Sequence, residues 1–337
     1  MKPKLLIVQL WGLGDLVIAT PFIRAAEEKY EVTLLAKPYA LELQPRLWPN
    51  IQIAPFDAPW TAFTHKYKVW RWPWREILQL RRRFAGQFEF GVSARWDPRD
   101  HLLLKFLGVR NRLGFPRVRS DIFLTQPLAK PDPLPHHFDY WQIMGNALGL
   151  EIPERAKLPV RPPIRDGVIL VHSGARLTAR VWPLPHVREL IRRLRAAGHT
   201  VQLACDGNQF AWWQQNGETD AACPRSVSEL LGLVDRAQCF IGNCSGPGHL
   251  AAICSVPTFT LFGPSMHEWF LPLHPQAEWI EGHACPYKPC ADYCRYARPH
   301  CIEDLSVDEV WERVSIFANR HAGSPLQRRG EQSKCEA

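Results

Sequence analysis

The chain has 337 residues, 46% of them hydrophobic, which is enough for two domains of ordinary size with a core in each. Lys and Arg number 41 against 33 Asp and Glu, and the resulting charge of +8 favours acidic partners: phosphorylated substrates, anionic lipid head groups or nucleic acid. No apolar run approaches the ~20 residues of a membrane span, and the short run after Met1-Lys2-Pro3-Lys4 reads as a first strand and not as a signal peptide, so a cytoplasmic protein is expected.

Leu5–Leu10 predicts that first strand. The Gly-rich loop Trp11-Gly12-Leu13-Gly14-Asp15 follows, then a helix from Leu16 to about Lys29 and a strand at Val32–Ala36. This is the β-loop-α-β unit of a parallel sheet covered by helices. Trp48–Trp74 has no clear period and reads as long loops and short strands. A basic helix at Ile77–Phe84, a strand at Phe90-Gly91-Val92 and helices at Leu102–Leu107 and Pro135–Leu148 come next. Glu151–Asp166, with Pro153, Pro159, Pro162 and Pro163, has the composition of an interdomain connection. The same grammar then restarts, with a strand at Val168–His172, the loop Ser173-Gly174-Ala175, a helix at Pro185–Ala197 and a strand at Thr200–Ala204. Further strands are expected at Cys239-Phe240-Ile241 and Thr258–Phe262. The polar segment 321–337 reads as a disordered tail.

Four constellations could carry chemistry. Gly12-Leu13-Gly14-Asp15 is not a dinucleotide fingerprint, because Val17 stands where the third glycine belongs, and no Gly-Lys-Ser/Thr follows to make a P-loop. It puts Asp15 at the carboxyl end of the first strand, where open α/β sheets bind ligands. Asp is also a leading helix cap, and both roles stay open. His172-Ser173-Gly174-Ala175, with Arg176 and Arg180, makes either a diphosphate clamp or a solvated basic loop. Asn243-Cys244-Ser245-Gly246-Pro247-Gly248-His249 is a turn of small residues running into a helix. It suits a phosphate at the helix start, or it is a tight turn with no ligand, and His249 either donates to that phosphate or packs inside. Cys285, Cys290, Cys294 and Cys301, beside His283 and His300, form a candidate structural zinc or iron–sulfur site. Their spacing departs from paired Cys-x2-Cys, and plain thiols are the alternative.

Three blocks taken together, Leu5–Pro21, Val168–Pro183 and Phe240–Pro264, resemble the signature blocks of the family 9 glycosyltransferases, the ADP-heptose:lipopolysaccharide heptosyltransferases and their relatives. The likeness runs from about Lys4 to Val314. It implies an α/β fold of the GT-B type, two Rossmann-like domains whose parallel sheets face each other across a cleft. Residues 1–155 would bind the acceptor and 156–320 the nucleotide-sugar.

By motif position, Asp15 matches the family's catalytic base in an inverting, metal-independent transfer, with Gly12 and Gly14 beside it. Arg180, Ser173, Asn243, Ser245, Gly246 and His249 match the donor side. Cys244 stands where relatives usually carry aspartate. A neutral thiol cannot accept hydroxyl hydrogen bonds as a carboxylate does, which puts the donor sugar in question. ADP-heptose is the leading donor and an anionic glycolipid such as lipopolysaccharide inner core the acceptor. No cofactor is required and nucleic acid is not expected. Arg110 and Arg112, with Arg81, Arg82, Arg83 and Arg117, are candidates to meet the acceptor or the inner face of the membrane. The alternatives are a nucleotide-sugar epimerase or hydrolase of the same fold, or a basic binding protein.

Overall fold

The computed structural model describes residues 2–322 except 63–67, 69, 71, 132, 134, 163–166 and 291–293. The chain divides into two compact units, Met1–Pro153 and Glu154–Ala337.

The first unit runs β1 (Lys4–Gln9), α1 (Leu13–Ile18), α2 (Thr20–Lys29), β2 (Glu31–Ala36), α3 (Ala40–Leu47), β3 (Gln52–Pro55), α4 (Trp74–Phe84), β4 (Phe90–Ser93), α5 (Pro98–Phe106), β5 (Asn111–Gly114), β6 (Gln126–Pro127) and α6 (His137–Ala147). Its six strands are parallel in the order β3-β2-β1-β4-β5-β6. After its first residue β1 is buried throughout, as a parallel strand covered on both faces must be. The segment expected as one helix from Leu16 is two. Pro21 lacks an N–H to continue the ladder, so the chain tightens at Ala19, whose N–H bonds Leu16 O, and α2 begins at Thr20. In α4 the residues Ile77, Leu80 and Phe84 are buried at helical spacing, while Trp74 and Leu78 are exposed.

The second unit runs β7 (Val168–His172), α7 (Leu184–Ala196), β8 (Val201–Ala204), α8 (Gly207–Gln215), α9 (Val227–Arg236), β9 (Ala237–Asn243), α10 (Gly246–Ile253), β10 (Thr258–Phe262), α11 (His267–Phe270), β11 (Glu278–Glu281), α12 (His300–Glu303) and α13 (Val307–Ala322). These five strands are also parallel, in the order β11-β10-β9-β7-β8. Val187, Leu190, Ile191 and Leu194 of α7 follow the i, i+3, i+4, i+7 pattern and enter one core with Ile169, Ile241 and Phe317. Of the segment expected to be a disordered tail, His321 and Ala322 end α13; the remainder, 323–337, lies outside the described residues. Among the described residues no helix is long and apolar enough to cross a membrane.

In each sheet the chain fills one side of the first strand and then the other. The reversal falls between β1 and β4 in the first unit and between β7 and β9 in the second. At such a point the loops leaving two neighbouring strands diverge and open a crevice at the carboxyl edge.

Candidate active site

Asp15 lies at the first reversal point, in the loop-to-helix segment after β1. Gly12 holds the N-cap of α1 and no side chain caps that helix, so the carboxylate sits within the first turn and is not the cap residue. From the loop after β4, Arg95 places Nη1 3.1 Å from Asp15 Oδ1. From the start of α6, His137 places Nδ1 3.4 Å from the same oxygen. The guanidinium stands 4.6 Å over the Trp11 ring. Burial pushes the His137 imidazole below its ordinary range, against the opposing pull of its hydrogen bond to Asp15. A neutral ring protonated at Nδ1 can therefore donate to the carboxylate. Asp15, Arg95 and His137 line a pocket together with Gln9, Ile18, Ala94, Trp96, Tyr140 and Trp141. The Gln9 amide donates to Asp15 O at 3.0 Å and fixes the loop from beneath.

The second reversal point gathers the loops after β7 and β9. Asn243 ties them together: its Nδ2 donates to Ser173 O at 2.9 Å, and its Oδ1 accepts from Trp182 N at 3.1 Å. Ser245 caps α10 in extended conformation, but its hydroxyl turns back to Asn243 O at 3.2 Å and no side chain caps the helix. Pro247 has no N–H, so the helix start presents the amides of Ser245, Gly246 and Gly248, which suits an anion. Cys244 is buried. Burial pushes its thiol up, and the charges of Arg180 and Lys288 pull the other way, which puts both cations near this turn.

Several expected site residues have other positions. Ser173 is fully buried, and its hydroxyl donates to Gln209 Oε1 at 2.7 Å and accepts from Trp213 Nε1 at 3.0 Å. Both bonds lie inside the fold, so its side chain supports the loop. Asn243 likewise spends both ends of its amide inside the fold. His249 is in the first turn of α10, and its side chain is buried. Arg110 just precedes β5 and Arg112 is its second residue, toward the amino edge of the sheet and opposite the edge that carries Asp15. Arg112 is level with Gly91, and Gly91 with Leu6. The Arg112 guanidinium is held by the carbonyls of Phe123, Val109 and Arg110. It clamps a loop to the strand and does not line the pocket beside Asp15.

Arg95, His137 and Lys288 belong to none of the sequence motifs. Arg95 had a usable signal, since it follows a recognised strand at its carboxyl end. His137 and Lys288 had none, because only the packing of α6 and of the segment after β11 brings them to their sites.

Cys285, Cys290 and Cys294 lie in the segment between β11 and α12, and Cys301 in α12 itself. Cys301 is buried. Burial raises its thiol first, and Cys285, Cys294 and Cys290 add to the rise. Cys290 is raised by burial and then by Cys285 and Cys294. The four sulfurs are therefore electrostatic neighbours, although among the described residues no three of them lie within 4.8 Å of one another.

The family described as glycosyltransferase family 9 (heptosyltransferase) matches residues 109–298, more than half of the chain, and the chain belongs to that family. Lipopolysaccharide heptosyltransferase 3 of Escherichia coli strain K12 is 28% identical over 118 residues, 32% of this chain and 34% of that protein. The match thus spans about a third of the relative's length. Among solved structures, E. coli heptosyltransferase WaaC with ADP superposes with a TM-score of 0.71 at 15% identity, covering 93% of this chain and 99% of that one. The iron-containing dodecameric glycosyltransferase TibC of enterotoxigenic E. coli gives 0.57 at 16% identity, covering 95% and 78%. The fold is that of the GT-B heptosyltransferases.

Proposed function

We propose that the protein is an inverting glycosyltransferase that moves a sugar from a nucleoside diphosphate donor to a cell-envelope glycolipid such as lipopolysaccharide inner core. The observation that carries this reading is Asp15, a carboxylate held at a sheet reversal point beside a pocket by Arg95 and His137. Asp15 takes the proton of an acceptor hydroxyl. The oxygen attacks the anomeric carbon from the face opposite the diphosphate, the carbon–oxygen bond to the diphosphate breaks, and configuration inverts. Arg180 and the amides at the start of α10 receive the charge of the leaving diphosphate, so the transfer uses protein groups alone.

The first unit takes the acceptor and the second the donor. ADP-heptose is the leading donor, because WaaC is described with ADP. Cys244, kept protonated by burial, gives the donor sugar a thiol in place of a carboxylate, so the sugar is the part of the assignment to be measured. A thermal-shift panel of nucleotide-sugars, followed by transfer assays on core-truncated lipopolysaccharide, tests it. ADP-heptose should stabilise the protein and be consumed only with acceptor present. Consumption without acceptor would mark a hydrolase. The protein would work in the cytoplasm at the inner face of the membrane, where the basic surface of α4 meets anionic head groups.

By donor chemistry, Cys285, Cys290, Cys294 and Cys301 are the residues that would hold a structural zinc or iron ion, which would have to draw the sulfurs closer than they stand; the TibC structure is described as iron-containing. Such a metal would brace the segment between β11 and α12 and take no part in the transfer.

A further inference from the structure

We infer that Arg95 reads an anionic group on the acceptor, and that engaging this group releases Asp15 to act as base. The inference rests on the transferase reading above and adds the chemistry of its acceptor.

Arg95 stands among a carboxylate, an imidazole and two indoles, with Nη1 also 3.4 Å from His137 Nδ1. Nη1 faces Asp15 Oδ1 at 3.1 Å, and the guanidinium plane is supported by Trp11 at 4.6 Å, with Trp96 at 6.0 Å. The side chain keeps 26% of its surface open, and it lines the same pocket as Asp15, Trp96, His137 and Tyr140. An arginine steadied on an indole presents a rigid fork of donors, the geometry that suits carboxylate or phosphate. The Asp15 pairing, taken alone, works against catalysis. A cation beside a carboxylate favours its ionised form and makes it a weaker base.

An acceptor carrying a carboxylate or phosphate beside the reacting hydroxyl removes that conflict. The anion takes the guanidinium's charge, and Asp15 regains proton affinity at the moment a hydroxyl lies next to it. A neutral acceptor leaves the Arg95–Asp15 pair closed. In the step itself the hydroxyl proton passes to the Asp15 carboxylate and the hydroxyl oxygen forms the new bond to the anomeric carbon. The electron pair of the broken bond leaves on the diphosphate. Arg95 exchanges no proton; it selects the acceptor and positions the base.

The test compares wild type with Arg95→Gln and Arg95→Lys on three acceptors: de-O-acylated core-truncated lipopolysaccharide, the same material after carboxyl reduction, and the same after dephosphorylation. ADP-heptose is the donor, and ADP-induced stabilisation confirms that each variant is folded. Wild type should lose about 10- to 100-fold in kcat/KM on the acceptor stripped of the anion that Arg95 reads, the size of a lost charged hydrogen bond. Arg95→Gln should fall to that level on the intact acceptor and be indifferent to that same modification, and Arg95→Lys should lie between. Which modification matters tells carboxylate from phosphate. If Arg95→Gln loses the same factor on all three acceptors, Arg95 serves Asp15 alone and the inference fails while the transferase reading stands. If wild type transfers to none of them, the acceptor class proposed above is wrong and the inference falls with it.

Discussion

Trp11 donates from Nε1 to Asp100 Oδ2 at 3.3 Å, and the same indole supports the Arg95 guanidinium that faces Asp15. Asp100 also accepts from Trp60 Nε1 at 2.8 Å and from Ser93 Oγ at 3.3 Å. The candidate base is thus braced, through one tryptophan, by a carboxyl group in the core. Burial drives that carboxyl up to about 7, with Asp97 adding to the rise and the hydrogen bonds from Trp60 and Trp11 opposing it.

This makes stability depend on pH near neutrality. Asp100 goes from an ordinary 3.8 to about 7 on folding, so the folded chain holds the proton more tightly. The stabilising contribution is complete below the unfolded value and is lost as pH rises through about 7; its size is on the order of a few kcal/mol. Urea unfolding across this window should show wild type losing stability relative to Asp100→Asn, which cannot ionise. A difference that stays constant with pH would remove Asp100 as the titrating group.

Arg180→Ala should weaken ADP binding by about 1.5–3 kcal/mol, the range for hydrogen bonds to charged groups. Calorimetric titration of both proteins with ADP measures it, and an unchanged affinity takes Arg180 out of the diphosphate site.

Gly242→Ala tests the second reversal point. A Cβ there would stand 2.9 Å from His172 O on the neighbouring strand and 3.0 Å from the Phe240 ring. Neither neighbour moves easily, so the strands must part, at a cost of about 1–3 kcal/mol. Denaturant unfolding should show that loss, together with weaker ADP binding. Full stability in the variant would mean the two strands have slack at this edge.

Much of this was legible in the sequence. The apolar runs of β1, β7 and β10 mark parallel strands, and their placement before small-residue loops marks the carboxyl edges. Asp15 was legible for that reason. Arg112 was not legible as a loop clamp, because a sequence shows charge but not which carbonyls it meets, and one of the three that hold it, Phe123 O, is eleven residues away. Motif position alone points to Ser173 and Asn243. Their side chains instead satisfy buried polar groups, a demand that appears only once two loops are packed together. His137 was beyond reach because its meeting with Asp15 depends on how α6 packs.

The cysteine segment gives a separate expectation. Protein purified without oxidation should carry close to one equivalent of zinc or iron by elemental analysis, reduced by Cys285→Ser and by Cys301→Ser. Metal-free wild type would leave four plain thiols.

The most direct measurement is sugar transfer by wild type and Asp15→Asn, with ADP-heptose and core-truncated lipopolysaccharide, alongside ADP affinity for both. Wild type should transfer, and Asp15→Asn should be slower by about 10²- to 10⁴-fold, the span of general base catalysis, with ADP affinity unchanged. Equal transfer by the two proteins, or parallel loss of transfer and ADP affinity in the variant, would contradict the assignment of Asp15 as the base.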